Sequence, residues 1–136
     1  MRLIVDTNIL ISGLIRDSIT RRILLNPKFE FYLPDFSLSE IKKYLPEISK
    51  KSGLSAKEVK ELLNSLLDNF YVIPLKEYKF QLKRATEIIG SIDEKDVPFI
   101  AVALCIKSYG IWSNNGHFQE QNEIKTYTTA EIIRLI

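Results

Sequence analysis

Short aliphatic and β-branched runs alternate along the chain with longer segments whose apolar positions recur every three or four residues. Residues 2–5 suit a strand buried on both faces, and Thr7 or Asn8 is placed to cap a helix reaching residue 15. A helical stretch over 18–26 stops at Asn26-Pro27, and a second strand over 29–33 stops at Pro34. Residues 35–51 read as helix, with Leu38, Ile41, Leu45 and Ile48 on one stripe. The clearest amphipathic helix covers 55–69, where Val59, Leu62, Leu63, Leu66 and Leu67 line one side and Ser55 with Glu58 makes a capping box. A strand over 71–75, a helix over 78–89 ended by Gly90 and a helix over 96–109 ended by Gly110 follow. Short strands at 111–113 and 124–127 and a helix capped by Thr128 or Thr129 close the chain. Strands alternating with helices predict parallel pairing. The expected fold is α/β, a three-layer α/β/α sandwich around a mostly parallel sheet of four or five strands.

Composition narrows the class. With 136 residues, no repeat and no Gly/Ser linker, residues 1–136 read as a single domain. Nineteen Lys and Arg against seventeen Asp and Glu give a net charge of +2, which excludes binding of nucleic acid by bulk charge alone. The bases are concentrated, however: residues 1–84 hold fifteen bases and ten acids, the remainder four and seven. Solvated helix faces and a track for a polyanion both account for this. The single cysteine, Cys105, excludes an internal disulfide and a Cys-based zinc site, reads as a small core hydrophobe, and fits a reducing, cytoplasmic setting. An acid at position 6 leaves no room for an export segment at this end. The longest apolar run, 97–106, has ten residues where a membrane span needs about 20, so a buried core helix is expected and no membrane.

In parallel sheets, ligands bind at the carboxyl ends of strands. The first strand delivers Asp6-Thr7-Asn8 to that end and the fourth delivers Ser113-Asn114-Asn115. No glycine-rich phosphate loop follows either, so a carboxylate-lined site is the chemistry to consider. Glu40 stands about 100° around its helix from Ile41, where it can reach the sheet edge or simply be solvated. Asp96 opens a helix that is apolar on every side, and a carboxylate there needs a partner. That partner is either the helix's own N-terminal amides, with Pro98 in the first turn, or a divalent cation. Oxygen ligands favour Mg²⁺ or Mn²⁺ over zinc. His117 reads as a surface loop residue.

Taken in order, Val5-Asp6-Thr7-Asn8, Ser39-Glu40, Asp96-Val97-Pro98-Phe99-Ile100-Ala101 (DVPFIAVAL) and Ile111-Trp112-Ser113-Asn114-Asn115 (IWSNN) resemble the PIN-domain ribonucleases. The length is that of a stand-alone PIN toxin of a type II toxin–antitoxin pair (VapC-like). The resemblance implies an endoribonuclease that hydrolyses RNA phosphodiesters with Mg²⁺ or Mn²⁺ as cofactor. It implies Asp6, Glu40 and Asp96 as catalytic metal ligands, and Thr7, Asn8 and Ser113 as groups that orient the acids and water or substrate. The family's fourth acid is replaced by Asn115, whose amide can hold a cation or water without adding charge, or can serve the Asn115-Gly116 turn. Asp93 is a candidate accessory acid that a helix-entry loop explains equally well. Lys42, Lys43, Lys50 and Lys51 gain weight as RNA contacts because their helix carries Glu40. An antitoxin protein and a homodimer, the latter helped by the apolar stripe over 55–70, are the implied partners. The competing reading is a catalytically silent PIN-like module that binds RNA or protein, motivated by the missing fourth acid.

Overall fold

Successive residues of a strand face opposite sides of the sheet, and both sides of this one are covered by helices. The computed structural model describes residues 1–136. Its strands are β1 (Arg2–Val5), β2 (Glu30–Pro34), β3 (Phe70–Ile73), β4 (Gly110–Trp112) and β5 (Thr126–Tyr127). They form one sheet in the order β3-β2-β1-β4-β5 with every neighbouring pair parallel. The helices are α1 (Thr7–Ile15), α2 (Ile19–Leu24), α3 (Phe36–Ser52), α4 (Ala56–Leu66), the short α5 (Leu75–Tyr78) and α6 (Leu82–Ala85), α7 (Val97–Cys105) and α8 (Thr129–Leu135). Leu3, Val5, Phe31, Leu33 and Trp112 pack on one face against apolar residues of α1, α2, α3, α4 and α8. Ile4, Tyr32 and Ile111 pack on the other against Tyr78, Ala85, Ile89, Phe118 and the buried side of α7. The expected α/β/α sandwich is therefore realised, with five strands.

The order reverses at β1, which sends the chain first to β2 on one side and is joined on the other by β4. The carboxyl ends of β1 and β4 meet there, with the Asp6 amide donating to the Trp112 carbonyl at 3.0 Å. Such a switch point opens a crevice in parallel sheets.

Two capping boxes hold helix ends, Ser55 with Glu58 on α4 and Thr128 with Glu131 on α8. Asp6 itself, rather than Thr7 or Asn8, occupies the cap position of α1, and Thr7 is the first helical residue. Helix α3 continues through Pro46 and ends at Gly53, whose φ of 74° is the left-handed conformation that glycine adopts without strain.

The segment expected as one helix over 78–89 begins at Leu75 and breaks into α5, a 3₁₀ turn at Lys79–Gln81, α6 and a π turn at Thr86–Gly90. Gly90 is not left-handed. A Cβ there would stand 2.7 Å from Thr86 Cγ2, so close packing within the turn is its constraint. Helix α7 stops at Cys105, four residues short of the expected end, because the chain turns extended at Ile106 and the Tyr109 amide bonds to the Arg2 carbonyl at 2.8 Å, committing the backbone to the sheet. Gly110 opens β4 with φ 150°, and a Cβ on it would lie 2.4 Å from the Lys125 carbonyl oxygen. Burial of α7 is one-sided at its end: Val97 and Phe99 to Val102 are buried, whereas Ala103 to Ile106, Cys105 included, are half-buried. The α4 stripe is consumed by the core, with Val59 and Leu66 buried and Leu62, Leu63 and Leu67 packed against them, so it leaves no surplus for dimerisation. Among the exposed apolar groups, Tyr71 and Val72 on edge strand β3, Leu75 on α5 and Phe80, which is 72% exposed, are close in sequence.

Candidate active site

Four carboxylates gather where β1 and β4 end. Asp6 follows β1 directly and is 5% exposed. The Ser113 hydroxyl, just past β4, donates to Asp6 Oδ2 at 2.7 Å and accepts the Asn115 amide at 2.9 Å. Burial pushes the Asp6 carboxyl up, and the Ser113 hydrogen bond opposes that.

Glu40, on α3, sits half-buried off the apolar stripe and reaches the crevice as its helical position allows. Thr7 Oγ1 lies 2.7 Å from Glu40 Oε1, to which it donates, and 2.9 Å from the buried Ser37 hydroxyl. Burial raises the Glu40 carboxyl, Thr7 opposes the rise, Asp6 adds to it, and Lys95 and Lys43 oppose it. Asn8 is exposed and lines a groove of about 290 Å³ between α1 and α3 that also holds Glu40, Tyr44, Glu47, Lys51 and Lys95.

Asp96 is buried at the start of α7, 5% exposed. It makes no side-chain cap bond to its helix, so the amides do not take it up. Its Oδ2 is fully buried with no hydrogen-bond partner. Burial, with Asp93, Asp6 and Glu40 close by, pushes this carboxyl up to about 7 despite an opposing contribution from His117. A hard cation would satisfy it, and the oxygen-rich donor set suits one.

Asp93 Oδ1 accepts the Lys95 amide, capping the 3₁₀ turn Glu94–Asp96, while its Oδ2 is 3.1 Å from His117 Nδ1. His117 Nδ1 is also 3.7 Å from Asp96 Oδ2. Asp93, Asp96 and His117 offer ligand atoms that all lie within 4.8 Å of one another, and Asp6 and Glu40 stand outside that tight group. His117 is an exposed residue of the connection after β4, as expected, but it also lies beside two of the acids. The 3₁₀ turn Gly116–Glu120 carries it to the acids, and Asn115 Oδ1 caps that turn by accepting the His117 amide at 3.0 Å. The side chain of Asn115 is therefore committed to backbone geometry.

Lys42, Lys43 and Lys50 are exposed on α3, and Lys51 pairs with Glu47 at 2.8 Å. Lys43 and Lys95 line a hollow beside Glu40. The sequence reading did not single out Lys95, and it placed His117 in a surface loop without linking it to the acids. The spacing of Lys95 between two candidate acids was a usable signal for the first, and none existed for the second.

Asp96 holds its extra proton in the fold up to about pH 7 but only to its ordinary 3.8 when unfolded, so its contribution to stability is present at low pH and lost as pH rises through 7. Asp96→Asn is expected to raise the melting midpoint of cation-free protein near neutral pH by about 2 °C or more and to flatten its decline between roughly pH 4 and 7. An unchanged midpoint and slope in thermal melts would contradict this.

Among known proteins, the family model described as PIN domain matches residues 4–133. A solved structure of VapBC2 from Rickettsia felis, bound to a DNA fragment from their promoter, superposes with a TM-score of 0.67 at 17% identity, covering 94% of this chain and 98% of that one. At that identity the likeness is one of fold. No curated protein matches the sequence.

Proposed function

Because the chain belongs to the PIN-domain family, we propose that it is a divalent-metal-dependent endoribonuclease and the toxin of a toxin–antitoxin pair. The observation that carries this reading is the buried, unpartnered Asp96 oxygen among three further acids at the switch point of a parallel sheet. Asp6, Glu40 and Asp96 would hold Mg²⁺ or Mn²⁺. When bound, such a cation supplies positive charge against the attacked phosphate and makes water a better nucleophile. In the hydrolysis water adds to phosphorus and the bond to the leaving ribose oxygen breaks.

The protein's own groups set the geometry. Ser113 fixes Asp6 and Thr7 fixes Glu40, each by a single short hydrogen bond, so both acids are pre-oriented. Glu40 Oε2 accepts no hydrogen bond within the protein and is the oxygen left for water or cation. Asn8 borders the groove in which a nucleotide would lie. Lys42, Lys43 and Lys50, with Lys95, supply phosphate contacts along α3 and beside Glu40, and Lys51 does so less because Glu47 engages it.

One functional unit over residues 1–136, a cytoplasmic setting, an antitoxin partner and a homodimer complete the proposal. No helix is long and apolar enough to cross a membrane. The fold it shares with the VapBC2 structure supports the partner, and exposed Tyr71, Val72, Leu75 and Phe80 supply apolar area for an interface.

The test is cleavage of single-stranded RNA by purified protein with Mn²⁺ or Mg²⁺. The wild type is expected to cut, Asp6→Asn to lose about 100-fold or more of that activity, and Asn115→Asp to cut faster. An inert wild type beside an active Asn115→Asp would favour the silent binding module instead. Reversing charge at Lys42 and Lys43 together is expected to weaken RNA binding and reduce the slope of log affinity against log salt by up to about two. Binding with an unchanged salt slope would remove α3 from the RNA path.

A further inference from the structure

The only histidine in the sequence, His117, lies where a surface ion pair with Asp93 would be the ordinary explanation. That explanation leaves Asp96 Oδ2 without a partner. Each of the three side chains offers a ligand atom within 4.8 Å of the other two, and Asp93 Oδ2 stands 3.1 Å and Asp96 Oδ2 3.7 Å from His117 Nδ1. Ligands around one ion at about 2.1 Å stand roughly 3 to 4.2 Å from one another, so these separations match a shared centre.

Exposure rises from Asp96 at 7% through Asp93 at 28% to His117 at 46%, which gives an ion a path from solvent to the buried oxygen. Three protein ligands leave further positions for water or substrate, as catalytic centres require.

We propose that Asp93, Asp96 and His117 form a mixed nitrogen and oxygen site for a transition-metal dication, Mn²⁺ in preference to Mg²⁺. The proposal rests on the metal-dependent reading above and specifies which ion and which ligands. Mg²⁺ takes oxygen donors and gains little from an imidazole, whereas affinity for nitrogen ligands rises along the first-row metals. Asn115 acquires a definite part in this arrangement. It adds no charge, but its side-chain oxygen holds the His117 amide and its own amide is held by Ser113, which also holds Asp6. Hydrogen bonds through Ser113 and Asn115 thus tie the β1 acid to the backbone amide of the residue that carries the imidazole, and the ring carries its proton on Nε2 when Nδ1 binds the ion.

A single histidine makes the test direct. In untagged, chelator-stripped protein loaded with Mn²⁺, pulsed electron paramagnetic resonance should show nitrogen coupling from an imidazole, and His117→Ala should abolish it. By calorimetry the same variant should weaken Mn²⁺ binding by about tenfold or more and Mg²⁺ binding by less than about threefold. Asp93→Asn, also at a partly exposed position, should weaken Mn²⁺ in the same direction. Bound Mn²⁺ without nitrogen coupling, or equal losses for the two ions in His117→Ala, would overturn this assignment while leaving the carboxylate site intact. No Mn²⁺ binding at all would overturn both.

Discussion

A carboxylate taken out of water costs several kcal/mol unless a hydrogen-bond donor or a positive charge meets it, and the carboxyl end of this sheet brings four together. Two are met by hydroxyls, Asp6 by Ser113 and Glu40 by Thr7. Asp93 is met by a backbone amide and by His117. Asp96 Oδ2 accepts no hydrogen bond, and burial, with the nearby acids adding to it, pushes the carboxyl up to about 7. The fold thus concentrates like charge at one crevice and leaves the sum unbalanced, which is the condition under which a dication binds.

The scaffold makes that imbalance durable. Asp6 and Ser113 are fixed by strands that pair with each other in the middle of the sheet, and Glu40 by a seventeen-residue helix packed on one face. Asp96 opens a helix whose first turns are buried on the other face. Asn114 ties the same β4 turn to α8 by accepting the Thr129 amide and donating to its hydroxyl. Asp35 is the informative contrast. It too follows a strand, β2, but its two oxygens accept the Tyr78 hydroxyl and the Leu75 amide, so it is spent on positioning α5. Position after a strand does not by itself leave an acid free to react; an unfilled hydrogen-bond capacity distinguishes one that is.

Local pattern was sufficient where local forces decide. The aliphatic β1, the capping boxes of α4 and α8 and the DVPFIA entry into α7 are written in adjacent residues, and the layer order follows from their alternation. Local pattern was insufficient where distant partners decide. The end of α7 is set by the Tyr109 amide bonding to Arg2, more than a hundred residues away along the chain. The breaks over 75–90 come from packing, with a π turn where Thr86 and Gly90 crowd each other. His117 stands 3.1 Å from Asp93 on a turn that Asn115 caps, a meeting of residues 24 apart that no adjacent pattern encodes.

Neutralisation of buried carboxylates by a bound cation is most directly tested by the melting midpoint of chelator-stripped protein near neutral pH, followed as Mn²⁺ is added. A ligand that binds only the folded state adds about 2.7 kcal/mol at a hundred times its dissociation constant, so the midpoint is expected to climb by several degrees and keep rising with the logarithm of concentration. A midpoint that does not move up to about 10 mM would mean that these acids are buried for some other reason, and would contradict the account at its base.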